Sequence, residues 1–160
     1  MDYYKQSLSI AQEFGNRMGE GRTLNNIGML YWVQRKYEEA LSYYEQCLSI
    51  WQEIGDKIGE SGTLNNIGSI YNAQGKPGKA LEQHKQALTI RRELGDRAGE
   101  AQSRWNLGRT YEDLGDLALA EEYITLAVEI AEAIGHPELE KYRDGLERVR
   151  GSAARAVGLR

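Results

Sequence analysis

A 40-residue repeat is the feature that most constrains this chain. Setting residues 18–57 against residues 58–97 leaves 19 of the 40 positions identical without a gap, including the run Thr-Leu-Asn-Asn-Ile-Gly that ends at Gly28 and again at Gly68. A third, looser copy follows, in which Asn-Leu-Gly ends at Gly108. Repeats of this length are units that bury their apolar faces only against neighbouring copies, so the sequence predicts a stacked array.

Each unit contains two amphipathic segments. Apolar residues recur at helical spacing, as at Leu24, Ile27 and Tyr31 in the first segment and at Ala40 and Tyr44 in the second. No strand-like alternation competes with this period. The sequence therefore predicts an all-α fold built from antiparallel helix pairs.

Capping residues and glycines mark where these helices begin and end. Asn16, Asp56 and Asp96 each precede a first helix and can accept hydrogen bonds from its unpaired amide groups. Glycines in the left-handed conformation are predicted to end the helices at Gly55, Gly75, Gly95, Gly115 and Gly135. Arg35 stands where the later units have glycine, so its turn must find another geometry or carry a small strain.

The repeat divides the chain into six predicted segments. They are a partial repeat with only a second helix at 1–15, repeat 1 at 16–55, repeat 2 at 56–95, repeat 3 at 96–135, a C-terminal capping helix at 136–150 and a disordered tail at 151–160. A lone second helix leaves its apolar face bare, so either the array continues beyond this chain or this end self-associates as a homodimer.

Three glycines fall in mid-helix, where glycine is less favourable than alanine by about 0.8–1 kcal/mol. Each is expected to let the paired helix approach closely at an alanine. The expected pairs are Gly28 with Ala40, Gly68 with Ala80, and Gly108 with Ala120.

The composition argues against several classes of function. A net charge of −4 and a pI near 5.3 give no basic surface for nucleic acid, and no apolar run approaches the roughly 20 residues of a membrane span. The single Cys47 cannot form an intrachain disulfide and no signal peptide is evident, so a cytoplasmic location is expected. Two histidines and one cysteine make up neither a catalytic motif nor a zinc site. We expect no enzyme activity, metal or cofactor.

His84 and Cys47 occupy packing positions. His84 stands where the first unit has Tyr44, and Cys47 aligns with the small residues Ala87 and Ala127. A buried imidazole and a packed thiol are therefore favoured over catalytic roles.

The repeat resembles the tetratricopeptide repeat (TPR). That family's pattern of a large residue, Leu-Gly, Tyr, Ala, an aromatic and a small residue matches Leu24, Ile27, Gly28, Tyr31, Ala40, Tyr44 and Cys47. The 40-residue period is similar to that of the Pins and Leu-Gly-Asn-repeat polarity adaptors, and the doubled asparagines resemble those of kinesin light chains. The resemblance implies a right-handed superhelical solenoid whose first helices line a concave groove, and a scaffold that binds another protein or peptide.

Side chains on the first helices that do not pack inward would face this groove. The predicted peptide-binding residues are Arg22, Asn25, Asn26, Met29, Trp32, Asn65, Asn66, Ser69, Asn72, Gln102, Trp105, Asn106, Arg109 and Glu112. Asparagine amides donate and accept at once, so Asn26, Asn66 and Asn106 would form a ladder along a bound main chain. The alternative is that these amides tie neighbouring helices together. Replacing Asn65 and Asn66 by alanine is expected to weaken partner capture and leave helicity nearly intact.

Two kinds of anchor are considered in the groove. Trp32 and Trp105 are either binding anchors or core residues. Arg109 resembles one member of the carboxylate clamp of chaperone-binding relatives, but Asn25, Asn65 and Trp105 replace its lysines. Recognition of a free carboxyl terminus is therefore disfavoured.

Three functions follow from these observations. The first is a scaffold that captures a peptide segment of a partner protein. The second is a regulatory or peptide-sensing module of a larger signalling protein. The third is a self-associating structural spacer. Neither nucleic acid nor a membrane is expected as a partner.

Overall fold

The computed structural model describes residues 2–158, and this part of the chain folds into eight helices without a strand. The helices are α1 (Asp2–Glu13), α2 (Arg17–Val33), α3 (Tyr37–Ile54), α4 (Lys57–Ala73), α5 (Pro77–Glu93), α6 (Arg97–Asp113), α7 (Leu117–Ile134) and α8 (Leu139–Gly158). The architecture is an all-α, right-handed superhelical solenoid of antiparallel helix pairs, which confirms the predicted fold class.

Neighbours in the chain are also neighbours in space. The pairs α2/α3, α4/α5 and α6/α7 have the most extensive contacts, and each pair packs against the next through α3/α4 and α5/α6. α1 covers α2 at one end, and α8 covers α7 at the other. First helices of consecutive units, such as α4 and α6, also touch directly.

Local capping interactions set the helix boundaries as the sequence predicted. The side chains of Asn16, Asp56 and Asp96 accept hydrogen bonds of 2.9 Å from the third main-chain amide beyond each of them. Arg35 adopts φ 58°, the left-handed conformation that Gly75 adopts at φ 69° in the next unit. The turn at Arg35 therefore carries the small strain that was one of the two predicted outcomes, because a side chain disfavours that conformation.

The mid-helix glycines do allow a close approach, but the nearest atoms belong to a longer side chain and not to the expected alanine. The nearest side chains are Tyr44 for Gly28, His84 for Gly68 and Ile124 for Gly108. Each of these residues lies four positions after the expected alanine, on the same face of the helix, where its longer side chain reaches across to the glycine. Only at Gly108 is an alanine among the nearest neighbours, through the main-chain oxygen of Ala120 at 3.1 Å.

The C-terminal helix is longer than the sequence predicted. α8 continues to Gly158, so the prediction of a disordered tail is wrong for residues 151–158, while residues 159 and 160 lie outside the described part. Alanine is the best helix former, and Ala153, Ala154 and Ala156 fall in this segment. The apolar side of α8 is anchored upstream, where Tyr142 and Val149 are fully buried.

Candidate peptide-binding groove

Hydrogen bonds between side chains join the first helices of successive units. The donor and acceptor pairs are Asn66 Nδ2 with Asn25 Oδ1 at 3.3 Å, Asn65 Nδ2 with Ser103 Oγ at 2.9 Å, and Asn72 Nδ2 with Thr110 Oγ1 at 2.7 Å. The first pair links α2 to α4, and the other two link α4 to α6. Asparagines of the predicted groove therefore also act as ties between units.

Asn65 borders a cavity of the predicted groove but is almost completely buried. Its side chain is only 4% exposed, and its Oδ1 lies 2.9 Å from Nδ1 of His84. Since Nδ2 donates to Ser103, both ends of the amide are used inside the protein. Asn66, the next residue on α4, lines the same cavity and is half-buried.

The two candidate tryptophan anchors have different surroundings. Trp105 is 5% exposed and stacks on Tyr142 with 5.0 Å between ring centroids, so it is a core residue and not an anchor. Trp32 is half-buried on α2, where its ring lies 5.4 Å from that of Tyr37. Trp32 also lines a cavity in the groove and keeps a surface for a ligand.

Two cavities lie along the face formed by α2, α4 and α6. The cavity nearer the N-terminus, of about 420 Å³, is lined by Arg22, Asn25, Asn26, Trp51, Gly59, Gly62, Thr63, Asn65, Asn66 and Gln102. The central cavity, of about 270 Å³, is lined by Trp32, Ser69, Asn72, Ala73, His84, Asn106, Arg109 and Asp113. Met29 is exposed on α2. The structure thus brings most of the predicted groove residues together in two adjoining depressions.

Glu112 connects α6 to α8. Its carboxylate accepts two hydrogen bonds of 2.8 Å from Arg148, and this pairing lowers the pKa of Glu112. Glu112 and Arg148 line a third depression of about 540 Å³ between the two helices. The carboxylate of Glu112 therefore binds α8. From the sequence, Glu112 was predicted to contact a ligand.

His84 forms part of the lining of the central cavity, which the sequence did not predict. The residue is fully buried, and burial lowers the pKa of His84 to about 4, so the imidazole is neutral at pH 7. With Asn65 Oδ1 as acceptor, Nδ1 carries the proton and Nε2 presents a lone pair. Among the described residues, neither His84 Nε2 nor Oδ1 of the neighbouring Asn72 has a hydrogen-bond partner.

Residues 2–53 and 59–133 match the tetratricopeptide repeat family. The chain belongs to the tetratricopeptide repeat family. As a TPR protein it has the architecture of a protein-interaction scaffold. No curated protein matches the chain in sequence.

Solved structures share this TPR architecture at low sequence identity. BtubC from P. vanneervenii is 29% identical with a TM-score of 0.75, over 84% of this chain and 56% of that one. A Rap protein complexed with competence and sporulation factor is 20% identical with a TM-score of 0.84, over 98% of this chain and 45% of that one. A kinesin light chain with nearly identical TPR-like repeats from Podosopora anserina is 17% identical with a TM-score of 0.74, over 96% of this chain and 77% of that one. The chain thus spans about half the length of the first two proteins.

Buried carboxylates are a further periodic feature of the TPR units. Glu20, Glu60 and Glu100 are 8%, 8% and 6% exposed, and each pairs with a cation three residues earlier. The first two also accept a hydrogen bond from a glutamine of the preceding helix. The recurrence of glutamate at this position in each 40-residue unit was the signal in the sequence for this feature. Glu20 and Glu60 thus join adjacent units, whereas Glu100 pairs with Arg97 and Arg104 within its own helix.

Two aspects of the described residues bear on other functions. No group of three or more histidine, cysteine, aspartate or glutamate side chains is arranged to hold a metal within residues 2–158. No helix in the same part of the TPR array is both long and apolar enough to cross a membrane.

Proposed function

We propose that this TPR array binds a peptide segment of a partner protein along the concave face of α2, α4 and α6. The observation that carries the proposal is the position of Asn26, Asn66 and Asn106, one on each first helix and all half-buried at cavity walls. An asparagine amide has two donor hydrogens and an acceptor oxygen. Asn66 uses one donor on Asn25, which leaves capacity for the main chain of a peptide.

The size of the cavities supports a peptide as the ligand. The central cavity, at about 270 Å³, falls below the range for small-molecule sites, about 300–1,000 Å³, and the other, at about 420 Å³, lies in its lower part. Cavities of this size suit single side chains of a longer ligand. Successive cavities on neighbouring units would then hold successive parts of one segment.

Binding is favoured over catalysis by the environment of Cys47, the only thiol of the chain. The thiol is fully buried, and its Sγ donates to the main-chain oxygen of Gly21 over 3.2 Å. Burial raises the pKa of Cys47, which keeps it as the poorly nucleophilic thiol. Cys47 therefore supports a structural role.

A second candidate is a regulatory or peptide-sensing module within a larger signalling protein. The Rap protein that shares this fold was solved with competence and sporulation factor bound, and this chain covers less than half of it. In such a module the peptide would change the geometry of the array, which small-angle X-ray scattering with and without peptide would detect. A spacer that self-associates through the exposed Tyr3 and Ile10 of α1 would instead form homodimers in light scattering.

The test of peptide binding is a selection from a displayed random peptide library, followed by charge reversal on two faces. Arg109→Glu changes an exposed residue of the groove, and Arg92→Glu changes an exposed arginine on α5. Selected peptides are expected to bind the Arg109→Glu variant with changed affinity and the Arg92→Glu variant with unchanged affinity. Equal affinity for both variants, or a selection that yields no binding peptide, would refute the proposal.

A further inference from the structure

Two hydrogen-bond acceptors are left unpaired at the central cavity. His84 Nε2 and Asn72 Oδ1 are both buried and have no partner among the described residues. Most buried polar atoms in proteins have a hydrogen-bond partner. Two unpaired acceptors at one cavity therefore indicate a hydrogen-bond donor that is not part of this chain. Because Nδ1 of His84 donates the ring proton to Asn65, Nε2 of the neutral ring can only accept a hydrogen bond.

The remaining lining of the cavity favours a flat cationic donor. Trp32, half-buried on α2, offers an aromatic surface, and Asp113, exposed on α6, offers a carboxylate at the same cavity. Arg109 is exposed at the same site, so it can turn toward solvent when another cation enters. Two neutral acceptors, one carboxylate and one indole together match a group with several donors in one plane.

We propose that the central cavity is a subsite for one arginine side chain of the bound peptide. The proposal rests on peptide binding in the groove. A guanidinium has five N–H donors in a rigid plane and stacks on aromatic faces, whereas an ammonium is a compact charge that is strongly hydrated. The guanidinium donates to His84 Nε2 and Asn72 Oδ1, pairs with Asp113 and stacks on Trp32. Both acceptor atoms are closed to solvent, so the incoming group displaces side chains at the cavity mouth.

A cavity sized for one side chain can be tested with a single amino acid derivative. The probes are N-acetyl-arginine amide, N-acetyl-lysine amide and N-acetyl-citrulline amide, titrated into the ¹⁵N-labelled chain. We expect a saturable shift of the His84 Nε2 resonance with the arginine derivative. The lysine derivative lacks the planar fork and the citrulline derivative lacks the charge, so both are expected to bind at least several-fold more weakly.

Asp113→Asn is the informative variant, because the residue is exposed and its change does not disturb the core. We expect affinity for the arginine derivative to fall roughly tenfold, as for a lost charge-assisted pair. Asp144→Asn is the matched control, since Asp144 is an exposed aspartate that lines the neighbouring depression instead. The control variant is expected to bind as the wild type does.

Each outcome of the titration decides the proposal. An unmoved His84 Nε2 resonance, or equal shifts with all three derivatives, overturns the arginine subsite. If library peptides bind in the groove without requiring arginine, the subsite is wrong while peptide binding stands. If no library peptide binds, peptide binding is wrong, and the arginine titration still decides whether the cavity takes a guanidinium.

Discussion

Gly68 on α4 lies directly against the imidazole of His84 on α5. A Cβ added at Gly68 would lie 2.6 Å from Cε1 and 2.9 Å from Nε2 of that ring. Gly68→Ala therefore forces the ring or the whole helix to move, and overpacking of this kind costs about 1–3 kcal/mol. The gain in helix propensity, about 1 kcal/mol, offsets only part of this. We expect a lower free energy of unfolding in urea denaturation.

Gly62→Ala is the control on the same helix. The nearest atom to a Cβ at Gly62 is Nη2 of Arg91 at 3.5 Å, an ordinary contact with a flexible side chain. This variant is expected to gain up to about 1 kcal/mol from helix propensity. If Gly68→Ala and Gly62→Ala changed the free energy of unfolding by the same amount in the same direction, the contact of Gly68 with His84 would not determine the outcome.

Asn65→Ala is expected to destabilise the protein by about 1–3 kcal/mol, because it leaves Nδ1 of His84 and Oγ of Ser103 without their partner. This replaces the sequence-based expectation that the fold would tolerate the change. Asn26→Ala, at a half-buried position in the groove, should alter stability by no more than about 0.5 kcal/mol. Guanidinium denaturation followed by circular dichroism measures both. If Asn26→Ala lowered the free energy of unfolding more than Asn65→Ala, then Asn26 would be the structural residue and Asn65 the surface residue.

The fold was predictable because its determinants are local and repeated. Asn16 and Asp56 cap helices through amides three residues away, and Gly55 ends α3 in the left-handed conformation. Such signals lie within a few residues of each other, so the repeat displays them directly. The helical continuation to Gly158 was missed because the tail shows no clear periodic apolar pattern, although its alanines favour a helix.

The groove was less predictable because a small helix rotation decides which side chain faces it. Asn65 and Asn66 are adjacent, and only the packing of α4 against α5 and α6 determines that Asn65 turns inward to His84. Equivalent positions in the repeat also differ, since Trp105 occupies the place of Asn65 and packs on Tyr142. His84 was missed as part of the central cavity because it resembles a core aromatic in sequence and its unpaired nitrogen appears only in three dimensions.

His84 makes stability depend on pH in a defined window. Burial lowers its pKa from 6.5 to about 4. Between these two values the histidine is protonated in the unfolded chain and neutral in the folded chain. The free energy of unfolding therefore falls as the pH drops from 6.5 toward 4, and the loss reaches about 2–3 kcal/mol near pH 4.5. Denaturation curves recorded between pH 7 and 4.5 measure this loss.

His84→Tyr is the control for this pH dependence, because it introduces the residue of the first unit, Tyr44, and removes the titrating ring. Carboxylates such as Glu112 and Glu138 have lowered pKa values and weaken the fold in more acidic solution. Both proteins share that loss, so the difference between them isolates His84. Parallel curves for the two proteins between pH 6.5 and 5 would contradict the assignment.

Arg35→Gly is expected to stabilise the protein. Arg35 is exposed and adopts φ 58°, a conformation that is unfavourable by about 1–2 kcal/mol for a residue with a side chain. Glycine removes this strain, although its greater freedom in the unfolded chain offsets about 0.5–1 kcal/mol. A net gain of about 0.5–1 kcal/mol should appear in urea denaturation. Gly75→Ala, in the equivalent turn at φ 69°, should lose stability instead. A loss in Arg35→Gly would mean that the arginine side chain stabilises the turn by more than its backbone strain.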